Sequence, residues 1–199
     1  MANWDEDSPT LRRNLTKVLR AIRDGAMRRD RPTVESARQW HRDAMEGLDV
    51  PAPEFVGRYR GEDGVRKVRV WVGTAEGVNP KQVAEQLKEF EGRLQRTLSA
   101  LDKLYDSGMD LDADGLSATI ELAAWAHSEW IRIHPFANGN GRTARMWANA
   151  IFMRYGLDPV VRLRPRPDVG YGAACSDAMH GDWRSTSAAF RKMLLTRYR

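Results

Sequence analysis

The sequence predicts an all-α bundle that carries one β-hairpin. Apolar residues recur at three- and four-residue spacing over most of the chain, which is the period of an amphipathic helix. One stretch, residues 55–73, changes to the two-residue period of a strand. Glycine and proline mark the boundaries between such stretches, as in the run Pro51-Ala52-Pro53. These patterns predict a mostly helical fold with a single small β element.

The apolar stripes predict seven helices. The first covers residues 10–29, and its inner face carries Leu11, Leu15, Val18, Leu19 and Ile22. Thr33 follows Pro32 and is expected to cap a second helix that runs through Glu46. The remaining helices are expected over residues 80–105, 115–131, 142–155, 168–181 and 184–197.

The hairpin is predicted between the second and third helices. Residues 55–60 are its weaker candidate strand, and residues 61–64, Gly-Glu-Asp-Gly, have turn chemistry. The stronger strand contains Val68, Arg69, Val70, Trp71 and Val72. Because an isolated hairpin leaves backbone groups unpaired at its edges, it can pair with another extended chain. The alternative is a hairpin that only packs on the helices.

Composition indicates a one-domain globular protein with anionic partners. The length of 199 residues suits one domain, and no apolar run approaches the length of about eighteen residues that a transmembrane helix needs. The net charge of +5 favours anions such as nucleotides, whereas the scattering of the basic residues disfavours nucleic acid. A lone Cys175 and the lack of a signal-peptide pattern predict a cytoplasmic protein without a membrane partner.

Residues 134–145 form the segment with the clearest chemistry. It begins with His134, a candidate base whose ordinary pKa is about 6.5, and it continues through a glycine-rich turn into the start of a helix. Glycines let successive N–H groups point into one concavity, while a helix N-terminus and arginines add positive charge. The residues expected to bind a di- or triphosphate are Gly139, Asn140, Gly141, Arg142 and Arg145.

This segment resembles the signature of the Fic family, His-Pro-Phe-x-(Asp/Glu)-Gly-Asn-Gly-Arg-x-x-Arg. It matches every fixed position except Asn138, where the family usually carries a carboxylate. Ile133 and the stretches at 57–60 (Gly-Arg-Tyr-Arg) and 156–159 (Gly-Leu-Asp-Pro) are also similar to the family. The resemblance covers roughly residues 33–195. It implies a Fic-like helical bundle with a hairpin flap, with residues 1–32 as an N-terminal helical extension and residues 33–199 as the Fic-like domain.

The resemblance implies a protein adenylyltransferase, which transfers AMP from ATP to a Ser, Thr or Tyr hydroxyl of a target protein and releases pyrophosphate. His134 would be the base, and the flap residues would line up the target segment beside it. The acidic residue of the family binds the Mg²⁺ that bridges the phosphates. Asn138 keeps an oxygen but lacks the negative charge, so it is a weaker candidate ligand for magnesium.

The resemblance also bears on regulation. Many Fic proteins are restrained by a Ser/Thr-x-x-x-Glu-Gly/Asn helix whose glutamate pairs with the second arginine of the signature, here Arg145. Ser117 and Glu121 have that spacing, but Leu122 follows them, and no other stretch fits. A separate inhibitory protein is therefore expected, as in toxin–antitoxin pairs, with this chain as the toxin.

Two other functions stay open on the sequence alone. Because Asn138 replaces a carboxylate, a Fic-like fold could hold nucleotide or protein and turn over poorly. It could also transfer another phosphate-containing group, such as the γ-phosphoryl group of ATP. A nucleic-acid-binding domain is disfavoured, since the sequence has no helix-turn-helix pattern, zinc ligands or repeated aromatic residues for base stacking.

Overall fold

Seven α-helices and one two-stranded hairpin make up the part of the chain that the computed structural model describes, which is residue 4 and residues 7–106, 110–168 and 170–197. The helices are α1 (Pro9–Met27), α2 (Val34–Met45), α3 (Val83–Leu104), α4 (Ala113–Ile133), α5 (Asn140–Arg154), α6 (Tyr171–Met179) and α7 (Arg184–Arg197). The strands are β1 (Trp71–Val72) and β2 (Ala75–Glu76). None of the described helices is long and apolar enough to cross a membrane. The predicted all-α bundle with one hairpin is confirmed.

Helices α4 and α5 form the centre of the bundle. α4 packs against α5, α3, α6 and α7, so it is buried on nearly every side. An aromatic cluster joins the end of α4 to α5 and α3: Trp130 lies 5.5 Å from Trp147, and Phe90 lies 5.2 Å from Trp147, between ring centroids. Such large packed rings fix the two helices relative to each other. The loop between α4 and α5 is therefore held at both ends by the core.

The first two helices pack on this centre. The inner face of α1 is buried, as its apolar stripe predicts, and α1 contacts both α5 and α2. Thr33 caps α2 as predicted: its hydroxyl accepts from the Ser36 N–H, and the Ser36 hydroxyl accepts from the Thr33 N–H, each at 3.1 Å. This reciprocal capping box satisfies two backbone donors at the helix start.

The hairpin lies later in the chain than predicted. Its antiparallel register pairs Trp71 with Glu76 and Val72 with Ala75. The turn is at residues 73–74, where Gly73 has a φ of 60°. The predicted strand over residues 55–60 is therefore wrong. Residues 61–64 do form a turn, as predicted, with Gly61 and Gly64 at positive φ, but this turn does not join the two strands of the hairpin. Val68, Arg69 and Val70 lie in the segment that leads into β1, so only the last part of the alternating run is a strand.

Residues 55–60 do not form a strand because consecutive side chains are needed inside the protein. Tyr59 is 4% exposed and Arg60 is 1% exposed. In a half-buried strand, neighbouring side chains point to opposite faces, so one of these two would be exposed. The Tyr59 hydroxyl instead donates to the Val34 carbonyl at 2.5 Å, and the Arg60 guanidinium donates to carbonyl groups at the end of α4.

Candidate active site

His134 lies at the junction of α4 and the loop. Its backbone is left-handed, with φ 52° and ψ 56°, and its N–H donates to the Trp130 carbonyl at 2.9 Å to close the helix. Nδ1 of the ring lies 2.9 Å from the Ile131 carbonyl oxygen. Because a carbonyl oxygen can only accept, Nδ1 carries the proton in the neutral ring, and Nε2 has the lone pair. This is the tautomer that a general base requires.

The surroundings of His134 favour its neutral form. Burial lowers the pKa of His134 below its ordinary value, and the positive charge of Arg60 acts in the same direction. The hydrogen bond to the Ile131 carbonyl opposes these effects without outweighing them. The ring is thus available to accept a proton at neutral pH.

The start of α5 leaves its N–H groups without a side-chain cap. Gly139 precedes the helix with φ 80°, and no side chain there accepts a hydrogen bond from the first turn. A larger residue at Gly139 would be strained by this positive φ, and its Cβ atom would also lie 3.1 Å from His41 Nε2. The first helical bond runs from the Thr143 N–H to the Gly139 carbonyl at 3.0 Å. An uncapped helix N-terminus of this kind attracts an anion.

Asn140 shapes the loop with its side chain. Its Oδ1 accepts from the Phe136 N–H, and its Nδ2 donates to the Phe136 carbonyl, both at 2.8 Å. Both partners are buried, since Asn140 is 2% exposed and Phe136 is fully covered. The side-chain amide is thereby engaged within the loop. What Asn140 and Gly141 present at the helix start is their backbone.

The two arginines of the segment are buried in this conformation. Arg142 is 3% exposed and Arg145 is 4% exposed. Arg142 Nη1 donates to the Trp4 carbonyl at 3.2 Å, and Arg145 Nη2 donates to the Leu163 carbonyl at 2.9 Å. Both lie in the first turns of α5, as the sequence predicts, but protein groups cover them. Each of these guanidinium groups thus donates to a backbone carbonyl in this conformation.

A buried tyrosine and histidine lie next to Arg145. The Tyr171 hydroxyl accepts from Arg145 Nη1 at 3.4 Å and lies 2.6 Å from His127 Nε2. Burial raises the pKa of Tyr171 and lowers the pKa of His127 to about 3, so both are neutral at pH 7. Within the described residues, Arg145 Nε and His127 Nδ1 have no hydrogen-bond partner. This small network holds Arg145 against α6.

Asn138 offers little to a metal ion. Its Oδ1 accepts from the Gly139 N–H at 2.5 Å, and its backbone oxygen lies 3.0 Å from His41 Nε2. In the described parts of the chain, no three His, Cys, Asp or Glu side chains come together as a metal site. Magnesium prefers charged oxygen ligands. The residues present therefore do not fit a magnesium ion held by the protein itself.

His41 supports the loop from α2, and sequence reasoning did not single it out. Its Nδ1 accepts from the Gly57 N–H at 3.0 Å, so Nε2 carries the proton and donates to the Asn138 carbonyl. The ring stacks on Phe136 with centroids 3.9 Å apart. Burial lowers the pKa of His41 to about 4. The signal that could have found it is its place on the apolar face of α2, four residues after Ala37.

The flap, residues 68–78, contacts His134 through the segment that follows β2. A Cβ atom at Gly77 would lie 2.8 Å from His134 Cβ, so the two segments are in close contact. The Gly77 N–H donates to the Val70 carbonyl at 3.0 Å, which makes 70 and 77 a hydrogen-bonded pair. The pair next to it, Trp71 and Glu76, is then the non-hydrogen-bonded type, and the N–H and C=O of Trp71 point away from β2.

Arg69 and Trp71 of the flap face outward, whereas Val70 between them is buried. The Trp71 ring is 53% exposed, and the Arg69 guanidinium lies 5.1 Å from the ring centroid. Arg69 also pairs with Glu76 at 2.5 Å. Val68 lies before β1, where its carbonyl accepts from Arg60 Nη1 at 3.2 Å. The four predicted flap residues thus lie together, with an exposed aromatic ring at the outer edge.

Comparison with known proteins agrees with this fold. A family model described as "Fic/DOC family" matches residues 31–152. The match covers more than half of the chain, which therefore belongs to the Fic/DOC family. The protein adenylyltransferase fic-1 of Caenorhabditis elegans is 34% identical over 156 residues, which is 78% of this chain and 26% of that protein. The protein adenylyltransferase Fic of Nematostella vectensis is 50% identical over 66 residues, which is 33% of this chain and 15% of that protein.

Solved structures share the fold. A fragment of Fic-1 from C. elegans superposes with a TM-score of 0.60 at 25% identity, covering 93% of this chain and 50% of that chain. BepC, a VirB-translocated effector from Bartonella tribocorum solved with bound AMPPNP, superposes with a TM-score of 0.62 at 19% identity, covering 97% of this chain and 90% of that chain. The chain spans about a quarter or less of the length of the two adenylyltransferases named above.

Proposed function

We propose that this chain transfers AMP from ATP to a Ser, Thr or Tyr hydroxyl of a target protein. The observation that carries the proposal is the geometry at His134. Its Nδ1 is hydrogen-bonded to the Ile131 carbonyl, which leaves Nε2 as an acceptor. His134 begins the loop that ends at the uncapped start of α5, and Gly77 of the flap contacts its side chain. A candidate base and a candidate anion site thus lie at the two ends of one loop, and the flap contacts the residue of the base. The related proteins of C. elegans and N. vectensis carry the same activity in their names.

The proposed reaction is an in-line displacement at the α-phosphorus of ATP. The acceptor hydroxyl oxygen bonds to that phosphorus, and the hydroxyl proton passes to Nε2 of His134. The bond from the α-phosphorus to the oxygen that bridges to the β-phosphate breaks, and pyrophosphate leaves with the bonding electrons. His134 then returns the proton to solvent. The acceptor side chain ends as a phosphodiester of AMP.

The start of α5 would stabilise the negative charge on the phosphates. The backbone at Gly139, Asn140 and Gly141 lies where the positive end of the helix dipole is strongest. Arg142 and Arg145 would contact the outer phosphates after exchanging the Trp4 and Leu163 carbonyls for phosphate oxygens. Such bonds between arginine and phosphate are stronger than the bonds to neutral carbonyls that they replace.

Magnesium enters the proposal as part of the substrate, the complex of Mg²⁺ with ATP. The neutral oxygen of Asn138 already accepts from the Gly139 N–H, so it is a poor substitute for a carboxylate ligand. No step of the reaction is assigned to a metal ion that the protein holds.

The target protein would dock on the flap as an added strand. The outward N–H and C=O of Trp71 can pair with an extended chain, and the exposed ring of Trp71 can contact its side chains. Gly77 of the flap contacts His134, so a docked chain would run past the base.

We also propose that a separate inhibitory protein restrains the chain, which would make it the toxin of a pair. The sequence supports this, since it contains no Ser/Thr-x-x-x-Glu-Gly/Asn motif.

Two observations favour a second candidate, a nucleotide-binding protein with weak turnover. Asn138 replaces a carboxylate of the family signature, and both arginines are covered in this conformation. One experiment separates the candidates: the chain is incubated with cell lysate and with ATP labelled at the α- or at the γ-phosphate. AMP transfer predicts protein label from α-labelled ATP alone. Label from γ-labelled ATP would indicate phosphoryl transfer, and ATP binding without protein label would indicate the binding protein.

A further inference from the structure

Arg60 is a buried cation beside His134 to which the reaction described above gives no step of its own. It is 1% exposed, although it is an arginine in a connecting segment. Buried arginines are rare unless their donors are satisfied. Every donor contact of this side chain goes to a backbone carbonyl, and the four acceptors belong to two separate segments.

The first segment is the end of α4 with the loop between α4 and α5. Arg60 Nε donates to the His134 carbonyl at 2.7 Å, and Nη2 donates to the Ile133 carbonyl at 2.9 Å. The backbone N–H of Arg60 adds a bond to the Pro135 carbonyl at 2.7 Å. The last carbonyls of a helix lack partners and form its negative end, so a cation there is doubly favourable. These bonds hold His134 in its left-handed conformation, which is costly for a residue other than glycine.

The second segment is the flap, which Arg60 contacts both before β1 and after β2. Nη1 donates to the Val68 carbonyl at 3.2 Å, ahead of β1, and Nη2 donates to the Val78 carbonyl at 2.7 Å, after β2. The planar guanidinium therefore fixes how far the two ends of the flap lie from the backbone of His134. Gly77 leaves no gap between them, since a Cβ atom there would lie 2.8 Å from His134 Cβ and 3.1 Å from Arg60 Nη2.

We propose that Arg60 is a positioning residue that joins the flap and His134 into one rigid unit. A target chain docked on the flap then presents its hydroxyl to the base in a fixed register. The inference rests on the proposed function, because it assumes that the flap docks the acceptor. Arg60 itself touches neither ATP nor the acceptor.

The test compares two acceptors in the same enzyme. Transfer of AMP to the target protein needs the base and the flap in register, whereas hydrolysis of ATP to AMP by water needs the base alone. The variant is Arg60→Lys, which keeps the charge but lacks the planar fork. We expect the ratio of protein transfer to hydrolysis to fall by about 10²-fold, the cost of a misplacement of about 1 Å. Binding of a fluorescent ATP analogue should stay unchanged. The acceptor is the purified protein that α-labelled ATP identifies in lysate.

Arg154 provides the matched control. It is 5% exposed and also spans separate segments, through bonds to the Asp102 carboxylate and to the Arg29 and Asp30 carbonyls. It lies at the opposite end of α5, twelve residues from Arg142, or about 18 Å along the helix. Arg154→Lys should lower thermal stability without changing the ratio of the two reactions. If Arg60 has only a structural role, Arg60→Lys should likewise lower thermal stability and leave the ratio of protein transfer to hydrolysis unchanged.

Gly77→Ala gives an independent test that leaves Arg60 in place. The added methyl group pushes the flap away from His134, so the ratio should again fall while ATP binding is retained. If Arg60→Lys does not fold, the ratio measured for Gly77→Ala tests the inference. An unchanged ratio in a folded Arg60→Lys or Gly77→Ala variant overturns the inference. Absence of AMP transfer by the wild-type chain would instead reject the proposed function.

Discussion

Nε2 of His41 lies 3.0 Å from the backbone oxygen of Asn138, which joins α2 to the loop between α4 and α5 across 97 positions of the chain. Nδ1 of the same ring accepts from the Gly57 N–H, so the neutral imidazole bridges two backbone segments. Protonation of Nδ1 would remove the acceptor for Gly57. The loop therefore depends on His41 staying neutral, and the low pKa of about 4 ensures this near pH 7.

The stability of the chain should fall in mild acid because of His41. Its pKa is about 4 in the folded chain against 6.5 ordinarily, so the unfolded chain binds more protons between these values. By linkage, the contribution of His41 to the free energy of unfolding is fully present above about pH 6.5 and decreases as the pH falls toward 4. In urea titrations from pH 7 to 4.5, His41→Gln should be less stable at pH 7 and show a shallower pH dependence. His127 contributes in the same direction, so the slope should shrink rather than vanish. An unchanged slope contradicts this role of His41.

Asn138→Asp should strengthen the use of magnesium. The carboxylate would restore a charged oxygen beside the phosphates, and a charge-assisted contact is worth about 1.5–3 kcal/mol. We expect binding of the Mg²⁺–ATP complex to tighten about ten-fold or more, with the largest gain in AMP transfer at low Mg²⁺. Titration of a fluorescent ATP analogue with Mg²⁺ measures the binding directly. A variant that is slower at every Mg²⁺ concentration would show that Asn138 suits a different donor or reaction.

Two substitutions at Trp71 separate the backbone of the flap from its side chain. Trp71→Pro removes the outward N–H and the ring, whereas Trp71→Ala removes the ring alone. If the target pairs with the edge of β1, the proline variant should label target protein more slowly than the alanine variant, with ATP binding equal in both. The loss should appear in the KM for the target. Equal labelling by the two folded variants would exclude strand pairing at this edge.

Tyr171→Phe tests the support of Arg145. The change deprives Arg145 Nη1 and His127 Nε2 of the hydroxyl, and buried groups without a partner cost about 1–3 kcal/mol. We expect lower stability together with a higher KM for ATP, because the Arg145 guanidinium loses one of the two groups that fix its position and keeps only the Leu163 carbonyl. Tyr155→Phe is the matched control, since its hydroxyl bonds to Asp102 at 3.0 Å at the other end of α5. Tyr155→Phe should lower stability and leave the KM for ATP as it was; equal KM values in the two variants would contradict the role of Tyr171.

The helices could be predicted because their signals are local. Thr33 and the apolar stripe that follows it specify α2, and the continuous stripe after Pro80 specifies α3. The loop signature likewise lies within twelve consecutive residues, which made His134 and the start of α5 accessible to sequence reasoning. In each of these cases the residues that cause the structure are neighbours in the chain.

The rest could not be predicted because it depends on contacts between distant residues. Arg60 reaches the His134 carbonyl across 74 positions, and this inward turn of residues 55–60 replaced the expected strand. The strands of the flap have two residues each, which is too short for alternation to locate them. The signature also identifies Arg142 and Arg145 as donors, but it contains no information on the carbonyl groups that cover them.

The central claim is that His134 acts as the base in AMP transfer to a hydroxyl. The most direct measurement is the rate of protein labelling from α-labelled ATP at pH 7.5 by the wild type, by His134→Ala and by the control His180→Ala, whose imidazole is exposed outside the site. We predict that His134→Ala loses about 10²–10⁴-fold in rate, the usual contribution of a general base, while its ATP binding and folding persist. His180→Ala should label at the wild-type rate. Labelling by folded His134→Ala at the rate of the wild type would contradict the account.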